Sequence, residues 1–249
     1  MGIIVEDITF KSKGHTLKGR TYQPAGEERH PAVAICHGYP GDTKNMDLAE
    51  ELAINGIATL VFYYQGAWGS EGKYRFSNLV PSTVDAVRYL KSLTYVEPER
   101  VGLVSHSMGA VPLTNVMSED ASIKTGILMS PAGDISKWLA EDIIDNIFTI
   151  FVEMAKGKLD YEPLEEYKED MIKAAKELNP IERIDEIQAP IMITVGSADT
   201  VTHPDDVQKL YEKATPPKKW TLVDKADHGF SEHRILLHEK VLSYLEENL

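Results

Sequence analysis

Short apolar segments alternate with amphipathic helical patterns along most of this chain, and this alternation restricts the folds that it can adopt. Residues 31–36 and 191–195 are almost continuously apolar, which is typical of strands buried on both faces. A helical pattern over 46–54 ends at Asn55-Gly56, a common signal for a helix C-terminus. Such alternation predicts one α/β domain with a mostly parallel sheet, helices on both faces and right-handed crossovers. The eight predicted strands are residues 3–10, 15–22, 31–37, 57–63, 100–105, 126–130, 191–195 and 219–223.

One stretch interrupts the alternation. The strand that ends at Ser130 and the next one, which begins near Pro190, are separated by roughly sixty residues, far more than a crossover needs. We interpret residues 134–179 as a helical cap inserted above the carboxyl ends of the strands, on a core of residues 1–133 and 180–249. Its first helix is expected to face the ligand site, since ligands bind at that end of such sheets. Alternatively, the same apolar stripe packs on the core or forms a homodimer interface.

Charge and composition argue against several classes of protein. The 249 residues include 39 acidic and 26 basic side chains, and the net charge of −13 argues against a surface for nucleic acid or anionic membranes. The chain shows neither a signal-peptide pattern nor an apolar run of bilayer-spanning length, so we expect a cytoplasmic protein without membrane insertion. The single cysteine, Cys36, excludes an internal disulfide and is expected in the core.

Residues 100–110, Arg-Val-Gly-Leu-Val-Ser-His-Ser-Met-Gly-Ala, combine an apolar run, a tight corner of small residues and a helix start. This pattern predicts a strand-to-helix elbow that carries Ser107 as a nucleophile. A serine hydroxyl attacks efficiently only when a base takes its proton and donors receive the oxyanion. The usual pattern is G-x-S-x-G, and Ser105 stands here in place of the first glycine. Pro112 predicts a kink or a short first turn in the helix that follows. The five-residue motif alone also fits a turn without chemistry.

A base and a group that orients it are found at the ends of two later strands. Asp199 follows the strand 191–195 and His228 follows the strand 219–223, so both project onto the edge of the sheet where Ser107 emerges. We predict that His228 takes the Ser107 proton and that Asp199 holds the imidazole in the correct tautomer. Other acidic and imidazole side chains nearby are weaker candidates because they lie at helix starts, in the closing helix or beside His228: Asp205, Asp206, His203, His233, His238 and Asp227.

Backbone amides complete the predicted site. The oxyanion donors are expected to be the N–H groups of Met108, directly after the nucleophile, and of Tyr39, after the third strand, where Gly38 permits close approach. His37 is expected to brace this loop or to contact substrate. Four further side chains are predicted to contact substrate: Trp68, His106, Phe148 and Phe151.

Four motifs occur in an order that resembles a known family: His37-Gly38, Ser105-His-Ser-Met-Gly109, Gly196-Ser-Ala-Asp199 and Asp227-His-Gly-Phe230. With them, the chain resembles serine hydrolases of the α/β-hydrolase fold along essentially its whole length. In its short length and its insertion at 134–179, the chain is similar to cinnamoyl and feruloyl esterases and related carboxylesterases. The loop 66–72 also resembles that of acylaminoacyl-peptidase-type relatives. Ser105 departs from the family pattern and weakens the subfamily assignment more than the triad.

The resemblance implies a carboxylic-ester hydrolase that works through an acyl-enzyme on a small-molecule ester, with an apolar pocket under the cap. Alternatives on the same triad are hydrolysis of amides or peptides, of thioesters or of monoacylglycerols. A different class of function is a non-catalytic ligand-binding homologue, which an intact Ser, Asp and His set disfavours. No metal-ligand spacing and no glycine-rich nucleotide loop occurs, so we expect neither a metal nor a cofactor.

Overall fold

The eight apolar segments pair into one mixed sheet in the computed structural model, which describes residues 2–249. The strands are β1 (Ile3–Ser12), β2 (His15–Pro24), β3 (His30–Cys36), β4 (Ala58–Phe62), β5 (Val96–His106), β6 (Gly126–Met129), β7 (Ile191–Gly196) and β8 (Lys218–Val223). Their order across the sheet is β1-β2-β4-β3-β5-β6-β7-β8. The β1–β2 and β2–β4 pairs are antiparallel, and every other neighbouring pair is parallel. The prediction of an eight-stranded, mostly parallel sheet is confirmed.

Helices cover both faces of this sheet, as predicted. They are α1 (Met46–Ile54), α2 (Leu79–Ser92), α3 (Ala110–Glu119), α4 (Ile144–Ala155), α5 (Leu164–Glu177), α6 (Pro204–Lys213) and α7 (Arg234–Asn248). Leu48 of α1 and Val241 of α7 belong to one buried apolar cluster, whereas α2, α3 and α6 contribute to the cluster on the opposite face. The β3 side chain Cys36 lies in this second cluster, and burial raises the pKa of its thiol to about 12.

Residues 134–179 form a 3-10 turn (Ile135–Leu139) followed by α4 and α5. The two helices are packed differently: α5 buries Tyr167 and Met171, whereas Ala155 is the one buried residue of α4. The connection between them is anchored to the loop after β4, because Trp68 N donates to Lys158 O at 2.9 Å and Asp160 N donates to Gly66 O at 2.7 Å. These backbone bonds hold α4 close to the core.

The helix after the elbow begins with a tight turn, as Pro112 predicts. A 3-10 turn over Ser107–Gly109 precedes α3, so Pro112 falls in the first turn of the α-helix, where its missing N–H leaves no bond unmade. Across residues 2–249, no helix is both long enough and apolar enough to span a lipid bilayer.

Candidate active site

Ser107 lies at a strained corner between β5 and α3. Its φ angle is 55°, in the left-handed region that side chains other than glycine rarely adopt. At this corner the start of the helix passes very close to β3. A Cβ on Gly109 would lie 2.1 Å from the Cys36 carbonyl oxygen, so only glycine fits there. Ser105 is fully buried and its hydroxyl donates to Ile127 O at 3.3 Å. A small polar side chain therefore replaces the first glycine of the motif without an unpaired hydroxyl.

Tyr39 and Met108 lie beside Ser107 and have backbone amides without a hydrogen-bond partner in the described chain. The loop after β3 packs on the elbow, since a Cβ on Gly38 would lie 2.9 Å from Ser107 Cβ. Tyr39, Met108 and Ser107 all line one cavity. Among residues 2–249, neither the Tyr39 N–H nor the Met108 N–H donates a hydrogen bond to the protein. Unpaired amides beside a hydroxyl are suited to receive an oxyanion.

Asp199 and His228 meet where the loops after β7 and β8 cross. The two loops approach closely at Gly196, where a Cβ would lie 2.1 Å from Ala226 O. The Nδ1–H of His228 donates to Asp199, with distances of 2.9 Å to Oδ2 and 3.2 Å to Oδ1. This leaves Nε2 as the free nitrogen of the ring, which is the tautomer that a general base needs.

The Asp199 carboxylate is buried but well supplied with donors. The backbone N–H groups of Val201 and Thr202 each donate to Oδ1 at 2.9 Å. Burial by itself raises the pKa of Asp199, but the bonds from His228 and from Thr202 outweigh it and lower the pKa to about 2. Asp199 is therefore ionised at neutral pH and able to stabilise an imidazolium.

Ser107 and His228 line the same cavity, which has a volume of about 540 Å³. In the part of the chain that the structure describes, Ser107 Oγ makes no hydrogen bond to His228. Such bonds are commonly long in unliganded sites and tighten when substrate binds. The arrangement thus brings the Asp199–His228 pair, Ser107 and both amides to one edge of the sheet.

A sequence profile of the prolyl oligopeptidase family matches residues 63–249, which include Ser107, Asp199 and His228. The chain belongs to the prolyl oligopeptidase family. It is therefore a hydrolase of the α/β-hydrolase type.

A curated relative matches most of this chain in sequence, and solved structures share its fold. The uncharacterized protein YfhR of Salmonella typhimurium is 26% identical over 229 residues, which cover 90% of this chain and 74% of the relative. The structure of Est1E from Butyrivibrio proteoclasticus with ferulic acid bound has a TM-score of 0.78 at 19% identity, covering 96% of this chain and 98% of that one. The α/β hydrolase GrgF from Penicillium has a TM-score of 0.78 at 17% identity and 98% coverage of both chains. The α/β-hydrolase fold expected from the sequence is confirmed.

The predicted substrate contacts are only partly found in the cavity lining. Phe151 lines the cavity, whereas four residues predicted to do so do not: His37, Trp68, His106 and Phe148. These four side chains lie outside the lining of this cavity, and their contact with substrate stays a prediction.

The two histidines are buried supports of the site. His37 Nδ1–H donates to Gly38 O at 2.7 Å, which agrees with the expectation that it braces this loop. His106 lies behind the triad, where its Nε2–H donates to the carbonyl oxygen of His228 at 2.8 Å and the two rings lie 4.9 Å apart. Burial lowers the pKa of both His37 and His106 to about 4, so both are neutral at physiological pH.

The two other residues, Trp68 and Phe148, have partners outside the cavity lining. The Trp68 indole N–H donates to Pro40 O at 2.8 Å, and Lys44 Nζ lies 3.2 Å from the centre of its ring. Phe148 packs on Tyr167 of α5, with ring centres 5.7 Å apart.

The face of α4 that lines the cavity carries Ile147, Ile150, Phe151 and Met154, at helical spacing. Because α4 is apolar on several sides, its sequence does not distinguish this face from the one that bears Phe148. Trp138 and Val201 also line the cavity and were not predicted.

Thr202 is a further site residue that the sequence analysis missed. Its hydroxyl lies 2.9 Å from Asp199 Oδ2 and 3.1 Å from Ser130 O, and it joins the loop after β7 to the end of β6. An Asp in a loop often accepts hydrogen bonds from the backbone N–H groups two and three residues ahead. The bond from the Thr202 amide to Asp199 was therefore predictable from the sequence. The contact of its hydroxyl with Ser130 depends on the tertiary fold and was not.

The weaker candidates for the triad have other roles. His203 accepts a hydrogen bond from Asp205 N at the start of α6, and Asp227 accepts from Ser231. His238 lies 3.2 Å from an Asp47 oxygen. None of these side chains contacts His228 through a hydrogen bond within residues 2–249.

Proposed function

We propose that this protein is a serine hydrolase that cleaves esters of carboxylic acids through an acyl-enzyme. One observation carries the proposal: the Asp199–His228 pair and Ser107 open onto a cavity in which two backbone amides have no partner in the described chain. In this proposal these groups act as nucleophile, oriented base and donors for the oxyanion, which are the parts that acyl transfer needs.

The reaction follows from these positions. His228 Nε2 takes the proton from Ser107 Oγ as Oγ attacks the ester carbonyl carbon. The carbonyl oxygen becomes an oxyanion and accepts hydrogen bonds from the N–H groups of Tyr39 and Met108. The tetrahedral intermediate then collapses, His228 gives its proton to the leaving alcohol, and the acyl group stays on Ser107. Water repeats the sequence, with His228 as its base, and releases the carboxylic acid.

The cavity lining favours an uncharged apolar or aryl acyl group. Its wall is made mainly of apolar side chains: Ile135, Trp138, Ile147, Ile150, Phe151, Met154, Val201 and Val207. The one lysine in the lining, Lys137, is paired with Asp206 at 2.6 Å, so it offers little attraction to an anionic acyl group. We take residues 134–179 as a cap whose 3-10 turn and α4 form most of this wall. Cinnamoyl and feruloyl esters fit these properties, as do medium-chain alkyl esters.

Hydrolysis of amides or short peptides is the second candidate, favoured by the match to the prolyl oligopeptidase family. The same triad performs both reactions, and the shape of the pocket decides between them.

A panel of substrates tests the proposal. We expect the highest kcat/KM for p-nitrophenyl octanoate or methyl ferulate, a lower value for p-nitrophenyl acetate, and slow turnover of the p-nitroanilide of octanoic acid. Octanoate is expected to exceed acetate by about tenfold or more, because each buried methylene contributes about 0.8 kcal/mol. Faster cleavage of anilides and peptides than of esters would make amide or peptide hydrolysis the first candidate and ester hydrolysis the second. No turnover of any of these substrates would contradict both.

Phe151 and Phe148 give a matched pair for the cavity wall, since both belong to α4 and only Phe151 lines the cavity. Phe151→Ala is expected to lower kcat/KM for the ferulate and octanoate esters by about 10- to 100-fold, with a much smaller effect on acetate, because the lost contact is worth about 1–3 kcal/mol. Phe148→Ala is expected to lower Tm without a change in the ratio of octanoate to acetate. Equal ratios in both variants would exclude α4 from the acyl site.

A further inference from the structure

Tyr39 connects the loop after β3 to both helices of the cap. Tyr39 lines the cavity together with Ser107, and its backbone N–H donates no hydrogen bond within residues 2–249. The Tyr39 hydroxyl lies 2.6 Å from the carbonyl oxygen of Phe151 in α4 and 2.8 Å from the hydroxyl of Tyr167 in α5. A single side chain thus contacts both α4, which lines the cavity, and α5.

The direction of these hydrogen bonds is determined by their chemistry. A carbonyl oxygen only accepts, so the Tyr39 O–H donates to Phe151 O. The Tyr39 oxygen is then an acceptor for the O–H of Tyr167. Burial raises the pKa of both phenols, so both protons remain in place across the working pH range. The result is one continuous chain, from the Tyr167 hydroxyl through that of Tyr39 to the backbone of α4.

Packing around the ring adds to the directional bonds. Tyr39 stacks on Phe76 with ring centres 5.9 Å apart and an interplanar angle of 12°, and it contacts Phe151 at 4.7 Å. Tyr167 is fully buried. A ring with fixed neighbours and a hydroxyl with two fixed partners leaves the Tyr39 side chain little freedom to reorient. Its backbone amide is correspondingly restrained.

We propose that the Tyr39 hydroxyl is a positioning group that uses the cap to hold the Tyr39 N–H in place as an oxyanion donor. The inference rests on the proposed acyl transfer at Ser107. An oxyanion donor that is displaced by a fraction of an ångström stabilises the transition state less well, while the ground-state contacts of the acyl group are unchanged. The effect therefore falls on kcat, and it is the same for small and large acyl groups.

Three tyrosine-to-phenylalanine variants separate this role from simple packing. Tyr39→Phe and Tyr167→Phe each remove one hydroxyl of the chain and keep the ring. Tyr161→Phe is the matched control, because Tyr161 stacks on Tyr167 at 4.9 Å but its hydroxyl makes no hydrogen bond within residues 2–249. Tyr167→Phe also breaks the chain from its far end without altering the oxyanion loop, so it remains informative if Tyr39→Phe yields little folded protein.

The expected result for Tyr39→Phe is a fall in kcat of about five- to tenfold, the usual size of the effect when one hydrogen bond is lost. Tyr167→Phe should lower kcat to a smaller extent, and the double variant should be no worse than Tyr39→Phe, because both act on one chain of bonds. In the two single variants and the double variant, KM and the ratio of kcat/KM for octanoate to that for acetate should stay constant. Tyr161→Phe should match the parent in every parameter.

Other outcomes overturn the inference. Unchanged kcat in Tyr39→Phe, additive losses in the double variant, or a loss confined to octanoate would each assign the hydroxyl to packing or to pocket shape. A parent enzyme that hydrolyses no ester and is not labelled by a fluorophosphonate would instead refute the proposed function itself, so the two failures are distinguishable.

Discussion

Ser107→Ala is expected to remove ester turnover, with kcat lowered by at least about 10⁴-fold, because loss of the nucleophile leaves only binding and the oxyanion donors. The fold should survive, since alanine is smaller than serine and the Ser107 hydroxyl makes no hydrogen bond to His228 in the described chain. The measurement is kcat on the best ester of the panel, together with thermal unfolding. Activity within about tenfold of the parent would contradict the assignment of Ser107.

Ser107→Gly is the companion variant and tests the strain at the elbow. The φ of 55° is costly for alanine and free of cost for glycine. We therefore expect Ser107→Gly to be inactive as well, but more stable than Ser107→Ala by about 1 kcal/mol, which corresponds to a Tm higher by about 2–4 °C. Equal stability of the two variants would mean that the corner is not strained.

Asp199→Asn is expected to lower kcat by about 10⁴-fold near neutral pH. The amide group would present N–H donors to a ring nitrogen that now carries a proton, which favours the wrong tautomer of His228. It would also remove the charge that stabilises the imidazolium. Asp227→Asn is the matched control, because Asp227 adjoins His228 in sequence but its carboxylate accepts from Ser231. A modest loss in Asp199→Asn, similar to that of the control, would exclude Asp199 from the triad.

The same variant tests the ionisation of Asp199 through stability. The pKa of Asp199 is lowered in the folded protein to about 2, below its ordinary value of 3.8. The folded state therefore binds fewer protons than the unfolded state between these values. The contribution of the carboxylate to the free energy of unfolding is fully present above about pH 4 and is lost as the pH falls through about 2. Denaturant unfolding at pH 7 and pH 3 should show the parent losing more stability than Asp199→Asn. Parallel losses in the two proteins would contradict the lowered pKa.

The sheet and the order of the site motifs were predictable because both depend on local patterns. Apolar runs mark buried strands, and the carboxyl ends of neighbouring parallel strands meet at one edge. This is enough to place Asp199 and His228 near Ser107. The glycines were informative for the same reason: Gly38, Gly109 and Gly196 each mark a close approach of two backbones. The departure at Ser105 had a local solution, a hydroxyl bonded to the adjacent strand.

The lining of the cavity was predictable only in part, because it depends on how helices are rotated and on contacts between distant residues. Helix α4 is apolar on more than one side, so Phe151 and Phe148 were equal candidates before the fold was known. Trp68 has an indole N–H whose partner is more than twenty residues away in sequence. His106 was recognised as close to the site but not as a support for the His228 loop. That contact joins the end of β5 to the loop after β8, which is more than a hundred residues away in sequence.

The most direct test of the central claim is mass spectrometry of the intact protein and its peptides after incubation with a fluorophosphonate probe. The parent and Ser107→Ala are treated in parallel, with folding of both checked by circular dichroism. We expect a single adduct on the parent, located on Ser107, and no adduct on Ser107→Ala. A folded parent that remains unlabelled, or an adduct that persists in Ser107→Ala, would contradict the claim that Ser107 is an activated nucleophile.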